Sequence, residues 1–345
     1  MSDSLLSENE PVVQTVLGSV PTKDLGIVLI HETLLSVFPG AEYAPEINLD
    51  QSIIFELLVS KLLDFKRQGG GTIVDHSGMF HGRNIWLYRT LSRATGVHIV
   101  ASTGLGPEEM LSGYFTTPQT YPPTPWPAEK FASLFEKEVQ EGIVVPRVER
   151  SSLAGMVCSI GSKTGLTDIE VNLFKAAAQT SKNTGVPVSI QFATNTVKEL
   201  DILLAADALP EKIIIGDIDR LNINHIDVIS AIINKGAYAA IDHIGWSSHE
   251  GYLNDEDRIR LIIQLFEAGL EHHILLSTNA IGVAKGHQAK DLDYTYLLNT
   301  FVPKLLAAGL TKNQIHTLLV KNPQNVLAVK RVTNIENAFN LELSK

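Results

Sequence analysis

The sequence predicts a single (β/α)8 TIM barrel, and three observations carry that prediction. Short β-branched apolar runs alternate with longer amphipathic segments from about residue 26 to 329, the runs number eight, and glycine recurs where a helical segment gives way to a run. Parallel strands wrapped by helices produce this grammar. An open doubly wound sheet also alternates, but eight strands without a second domain favour the closed barrel.

The strand candidates in order are GIVLIH (26–31), GTIVDHS (71–77), VHIVAST (97–103), AGMVCSI (154–160), VPVSIQF (186–192), KIIIGDI (212–218), YAAIDHI (238–244) and HILLSTN (273–279). Of the helices between them, residues 168–183 are representative: Ile169, Leu173, Ala176, Ala177 and Thr180 share a face, with Asp168 and Glu170 in the first turn where the helix dipole favours acids. Gly185 closes that helix, and Gly96 and Gly236 stand in the same position before their strands, as left-handed C-caps would. The expected organisation is an N-terminal extension over 1–23, the barrel over 24–330 and a tail over 331–345.

Composition narrows the function. The 345 residues are 44% hydrophobic and 19% charged, with a formal net charge of -10. Scattered basic residues on an acidic chain exclude a nucleic-acid partner. No window approaches the run of about 18 apolar residues that a membrane span needs, and the N-terminal MSDSLLSENEPVVQ has no basic stretch before an apolar core. A cytoplasmic protein acting on a small molecule is expected, and the single cysteine, Cys158, fits a reducing compartment.

In such a barrel the chemistry sits where strands end. Reading those ends gives His31, Asp75 with His76, Cys158, Gln191, Asp217, Asp242 with His243, and Asn279. Burying polar groups without partners is costly, so their gathering at one address points to a site. Two long loops, 104–130 and 245–255, would project from the same face. Their aromatics, Tyr114, Phe115, Tyr121, Trp126, Trp246 and Tyr252, either cover a substrate or pack the loops themselves.

At these motifs the chain resembles the phosphotriesterase family of the amidohydrolase superfamily. LGIVLIHETLL is similar to the family's opening His-x-His strand; GGGTIVDHS with HGRN and TGVHIVASTG to its second and third strands; AGMVCSIGS to the strand of the carboxylated lysine; TGVPVSIQFAT and IIIGDID to the two strands that each supply a histidine; AAIDHIG to strand 7; LLSTN to the strand of the catalytic aspartate; and LLAAGLTKNQIHTLLVKNPQNVLAV to the closing helix. The resemblance covers roughly residues 24 to 330. It implies a barrel of the metal-dependent hydrolase type, hydrolysis of a small organic substrate at the mouth, a binuclear zinc centre and assembly as a homodimer.

The metal positions that the resemblance implies are mostly changed. His31 is retained, but Thr33, Cys158, Gln191, Asp217 and Asn279 stand at the other positions. Two divalent ions close together need several anionic or imidazole donors, and Thr, Gln and Asn offer neutral oxygens. No binuclear zinc is therefore expected. A single zinc held by His31, Cys158 and Asp217 is an alternative of mixed N, S and O donors.

With the metals gone, His243 is the candidate general acid or base, oriented by Asp242 or else simply bonded into the rim. Asp217 is a base, a partner for His243 or His31, or a salt-bridge partner of Arg220. Cys158 is a thiolate nucleophile, a soft metal ligand or a small buried hydrophobe. Gln191, Asn279, Trp246, His76 and Tyr114 are expected to bind substrate, and Glu32 to face outward. Three functions compete: a metal-independent enzyme performing ester, lactone or amide hydrolysis, or elimination and isomerisation; a non-catalytic ligand-binding barrel; and a hydrolase with one relocated zinc.

Overall fold

In the computed structural model, residues 10–41, 44–111, 126–144, 149–162, 164–191, 195–223 and 226–330 are described. All eight expected runs form strands: β1 (Ile27–Val37), β2 (Gly70–Asp75), β3 (His98–Thr103), β4 (Met156–Ile160), β5 (Val188–Gln191), β6 (Ile213–Ile215), β7 (Tyr238–Ile241) and β8 (Ile274–Leu276). A ninth, β9 (Ile281–Lys285), continues the eighth. The sheet order is β8-β7-β6-β5-β4-β3-β2-β1-β9, and the pairs between barrel strands are parallel.

The two edge strands of that order, β8 and β9, lie on one stretch of chain four residues apart, so the sheet returns upon itself. The eighth barrel position pairs with β7 through residues 274–276 and with β1 through residues 281–285. Across the break, the Thr33 N–H donates to the Ala280 carbonyl at 3.0 Å. The result is a (β/α)8 barrel.

Helices α1 (Gln51–Arg67), α2 (Ile85–Thr95), α3 (Ala128–Gln140), α4 (Asp168–Thr184), α5 (Thr196–Ala205), α6 (Ile226–Asn234) and α7 (Asp255–Glu267) surround it. Helix α4 buries Ile169, Leu173, Ala176, Ala177 and Thr180, the face the periodicity predicts, and ends on Gly185 at φ 80°. Its start adds a feature the acid-in-first-turn reading lacks: Thr167 and Glu170 form a reciprocal capping box, with Glu170 fully buried.

Strand alternation sorts the core into two layers. Val157, Val188 and Ile190 face the helices, whereas Met156 and Cys158 face the barrel axis with Val74, Val100 and Leu275. Residues 10–23, expected as an extension, form a hairpin (Val12–Thr15 with Gly18–Pro21) whose Val13 joins that inner layer, while Val12 bridges Val329. The hairpin thus closes the end of the barrel opposite the site.

Candidate active site

Above the apolar inner layer lies a polar one, and His31 spans it. Irregular register between Leu29 and Glu32 in β1 re-aims the chain, so that Ile30 faces the axis and His31 also reaches inward. Its Nδ1 lies 2.8 Å from Asp242 Oδ1 on β7's C-terminal continuation, and its Nε2 lies 2.7 Å from Ser189 Oγ on β5. Burial pulls His31 from its ordinary 6.5 down to about 3, and burial, followed by the neighbouring Asp217 carboxylate, pushes Asp242 well above the usual carboxylate range. The contact is therefore a hydrogen bond around an uncharged imidazole rather than an ion pair.

Beside it, His243 is clamped by three side chains. Nδ1 lies 3.1 Å from Asp219 Oδ1, and Nε2 lies 3.3 Å from Asp217 Oδ1 and 3.2 Å from Asn279 Nδ2. Burial acts to lower the basicity of this imidazole, but Asp219, Asp217 and Asp242 together outweigh it, and the pKa is raised above 6.5. Asp219 is itself held by Arg258, whose Nε donates to Asp219 Oδ2 at 2.7 Å. Burial would raise Asp219, yet His243 and Arg258 hold it down to about 2. Asp217 and Asn279, which both meet His243 Nε2, adopt left-handed φ of 56° and 50°, an uncommon conformation for residues with side chains.

Tyr252 stacks on the His243 ring at 3.6 Å and Trp246 meets it edge-on at 4.9 Å. Trp246 Nε1 donates to the Thr278 carbonyl. These aromatics wall the imidazole, whereas Trp126 is buried against Phe131 in the outer core. Tyr114, Phe115 and Tyr121 lie outside the described residues.

Several sequence-based expectations are corrected by these contacts. Asp242 holds His31, not His243; the orienting carboxylate of His243 is Asp219. Glu32 does not face outward: it is fully buried, accepts hydrogen bonds from Ser277, Thr278 and Ala280, and burial pushes it up to about 7. Cys158 is brought near the mouth but faces the inner layer, and burial pushes its thiol up to about 12, so a ready thiolate is not what the fold provides. Asp217 does pair with Arg220, at 3.5 Å, while also meeting His243.

His76 lies 5.6 Å from the His31 ring, donates through Nδ1 to the Glu32 carbonyl, and lines a small cavity with Cys158 and Ile160. Its neighbour Asp75 points away, toward the Leu34 N–H and the Tyr88 hydroxyl. Ser189, Asp219, Arg258 and Ser277 were not singled out by sequence. A signal existed for Arg258: it falls on the apolar stripe of α7 with Leu261, Ile262 and Leu265, and a charge on a buried stripe needs a partner.

The residues at the family's metal positions do not fit two ions. Both ring nitrogens of His31 are engaged, Asp217 is paired with His243 and Arg220, and Gln191 and Asn279 are neutral amides. No cluster of three or more His, Cys, Asp or Glu suited to a metal occurs among the described residues.

Fold and mouth together define a hydrolase-type (β/α)8 barrel with an imidazole and carboxylate cluster at its strand ends. The chain belongs to the phosphotriesterase family, whose profile matches residues 11–327. It is 27% identical over 301 residues to the "Phosphotriesterase homology protein" of Escherichia coli, covering 86% of this chain and 96% of that one. It is 24% identical to the "N-acetyltaurine hydrolase" of Danio rerio, covering 94% and 100% of the two chains. Among solved structures, "Organophosphorus Hydrolase from Deinococcus radiodurans" superposes with a TM-score of 0.82 at 24% identity, covering 94% of this chain and all of that one.

Proposed function

We propose that this protein is a metal-independent hydrolase of a small organic ester, lactone or amide, with Asp217 and His243 as the proton-transferring pair. One observation carries the reading: His243 is fixed between Asp219 and Asp217 with its pKa raised, which suits an imidazolium that donates a proton near neutral pH. In the proposed step, Asp217 takes a proton from water as that oxygen bonds to the substrate's acyl carbon. His243 gives its Nε2 proton to the leaving oxygen or nitrogen as that atom's bond to the acyl carbon breaks, and the pair resets when the proton on Asp217 returns to Nε2, 3.3 Å away. The names of the relatives support hydrolysis over elimination.

Asp219 and Arg258 position His243 and stabilise its charge. Asn279, the half-buried member of the cluster, meets the same nitrogen through Nδ2, and with His243 protonated its amide turns so that Oδ1 accepts the Nε2 proton. A second reading, a ligand-binding barrel without turnover, is favoured by the complete engagement of His31 by Ser189 and Asp242. Hydrolysis assays on chelator-treated protein, using matched esters, lactones, amides and an activated phosphotriester, separate the two. Turnover without added metal that drops about 100-fold or more in His243→Gln and Asp217→Asn is expected. Turnover that appears only on adding zinc overturns the proposal, and tight binding without turnover supports the second reading.

A further inference from the structure

Gln191 is the one strand-end amide of the mouth whose polar atoms are left without a partner. It is 2% exposed, and neither Oε1 nor Nε2 has a hydrogen-bond partner. An amide buried in this way gives up its hydration and receives nothing in return. Its direction follows from the strand: Ser189 of β5 points to the axis, where it meets His31, so Gln191 two residues on points to the same side, one layer nearer the mouth.

The neighbouring strand makes room for it. A Cβ at Gly216 would lie 2.7 Å from Asp242 Oδ2 and 3.1 Å from Gln191 Cγ, so the stem of Gln191 crosses the inner face of residue 216 beside the Asp242 carboxyl. The next residue is Asp217, with the left-handed backbone that brings it to His243. A buried amide with one donor end and one acceptor end thus stands beside the proton-transferring pair.

We infer that Gln191 is the recognition group for an amide, so that the substrate class is a carboxamide or lactam rather than an ester or lactone. This rests on the mouth being the substrate site, as proposed above. A primary amide or lactam presents C=O and N–H side by side, so Gln191 Nε2 donates to the ligand carbonyl while Oε1 accepts the ligand N–H. An ester or lactone has no N–H and leaves Oε1 buried and unpaired. Sites built to bond an N–H discriminate against analogues that lack it for that reason.

The test uses the full-length protein, with 2-piperidone against δ-valerolactone and benzamide against methyl benzoate as probes. Binding is read by ligand-detected NMR titration and hydrolysis by product formation. The expected result is at least about a tenfold preference for each amide over its oxygen analogue, collapsing in Gln191→Leu. That variant should also melt at a higher temperature than the parent, because an unpaired buried amide has been removed. A residue with a merely structural role would instead lower it. Gln191→Met, unbranched and closer in length, provides the same comparison should the leucine variant fold poorly.

No binding of any probe, or equal binding of both members of each pair, overturns the inference. Hydrolysis that prefers neither class and ignores Gln191→Leu also overturns it while leaving the hydrolase reading intact. Amide-selective binding lost in Gln191→Leu without any hydrolysis keeps the inference and sinks the hydrolase reading.

Discussion

Two histidines held without charge give this mouth a pH dependence whose sign can be worked out. Burial takes His31 and His76 from an ordinary 6.5 to about 3. The unfolded chain therefore binds protons that the native state refuses between those values, and stability present above pH 6.5 is lost as pH falls toward 3. Glu32 opposes this: raised by burial from 4.5 to about 7, it stabilises the fold below 4.5 and ceases to as pH rises through 7. Asp242 and His243, both raised, oppose it as well, so the sign is predicted for the His76 share alone, which makes the melting temperature fall as pH drops below 6.5. His76→Asn, which keeps a donor for the Glu32 carbonyl, should flatten that slope in thermal unfolding measured by circular dichroism. At the same scale, Cys158→Ser should leave turnover nearly unchanged, because the thiol is buried and pushed up to about 12. An inactive, folded Cys158→Ser protein would restore the nucleophile reading.

Elements position these residues through their ends. The start of α4 is fixed by Thr167, whose side chain accepts from the Glu170 N–H, and by Glu170, which also binds the Ser162 hydroxyl and the Glu108 N–H. Thr167→Ala should cost about 1 kcal/mol, the usual loss for an N-cap. Glu170→Ala should cost about 2–3 kcal/mol because it strands buried donors. Urea denaturation checks both. Helix α7 acts on the site through Arg258, which ties Asp219, Asp255 and the Trp246 carbonyl together. Removing that cation leaves Asp219 buried beside His243 alone, so Arg258→Met should destabilise by about 3–5 kcal/mol and shift the His243 titration followed by NMR. An unmoved titration would show that Arg258 serves packing only.

At the scale of the whole molecule, the barrel is closed at one end by residues outside it and opens at the other onto the site. The N-terminal hairpin contributes Val13 to the inner core and receives a hydrogen bond from Ser152 Oγ at the Val16 carbonyl. Deleting residues 1–23 should lower the melting temperature by about 10 °C, measurable by calorimetry. Because His31, Asp217 and Asn279 are already engaged by Asp242, Ser189, His243 and Arg220, chelation should leave the melting temperature unchanged. A clear fall on adding chelator would contradict the metal-independent reading.

What the sequence by itself determined was the barrel and the address of its site. Strand period, helical stripes and capping glycines are local properties of a chain, and all eight runs became strands because each pattern can be satisfied only on a parallel sheet covered by helices. The strand ends named Asp217, His243 and Asn279, which meet at His243 Nε2, and His31, which Asp242 and Ser189 hold. Tertiary structure alone decided who pairs with whom. Asp242 and His243 are adjacent in sequence yet serve different partners, because β7 ends at Ile241 and the chain beyond it no longer alternates. Glu32 looked like an outward residue after a strand, but irregular register in β1 turned it into the partner of residues 277–280. Asp219 and Arg258 meet across 39 positions of sequence, and no local pattern encodes a contact at that separation. The raised basicity of His243 follows from Asp219, Asp217 and Asp242, carboxyls from two strand ends that closure of the barrel sets around one buried imidazole.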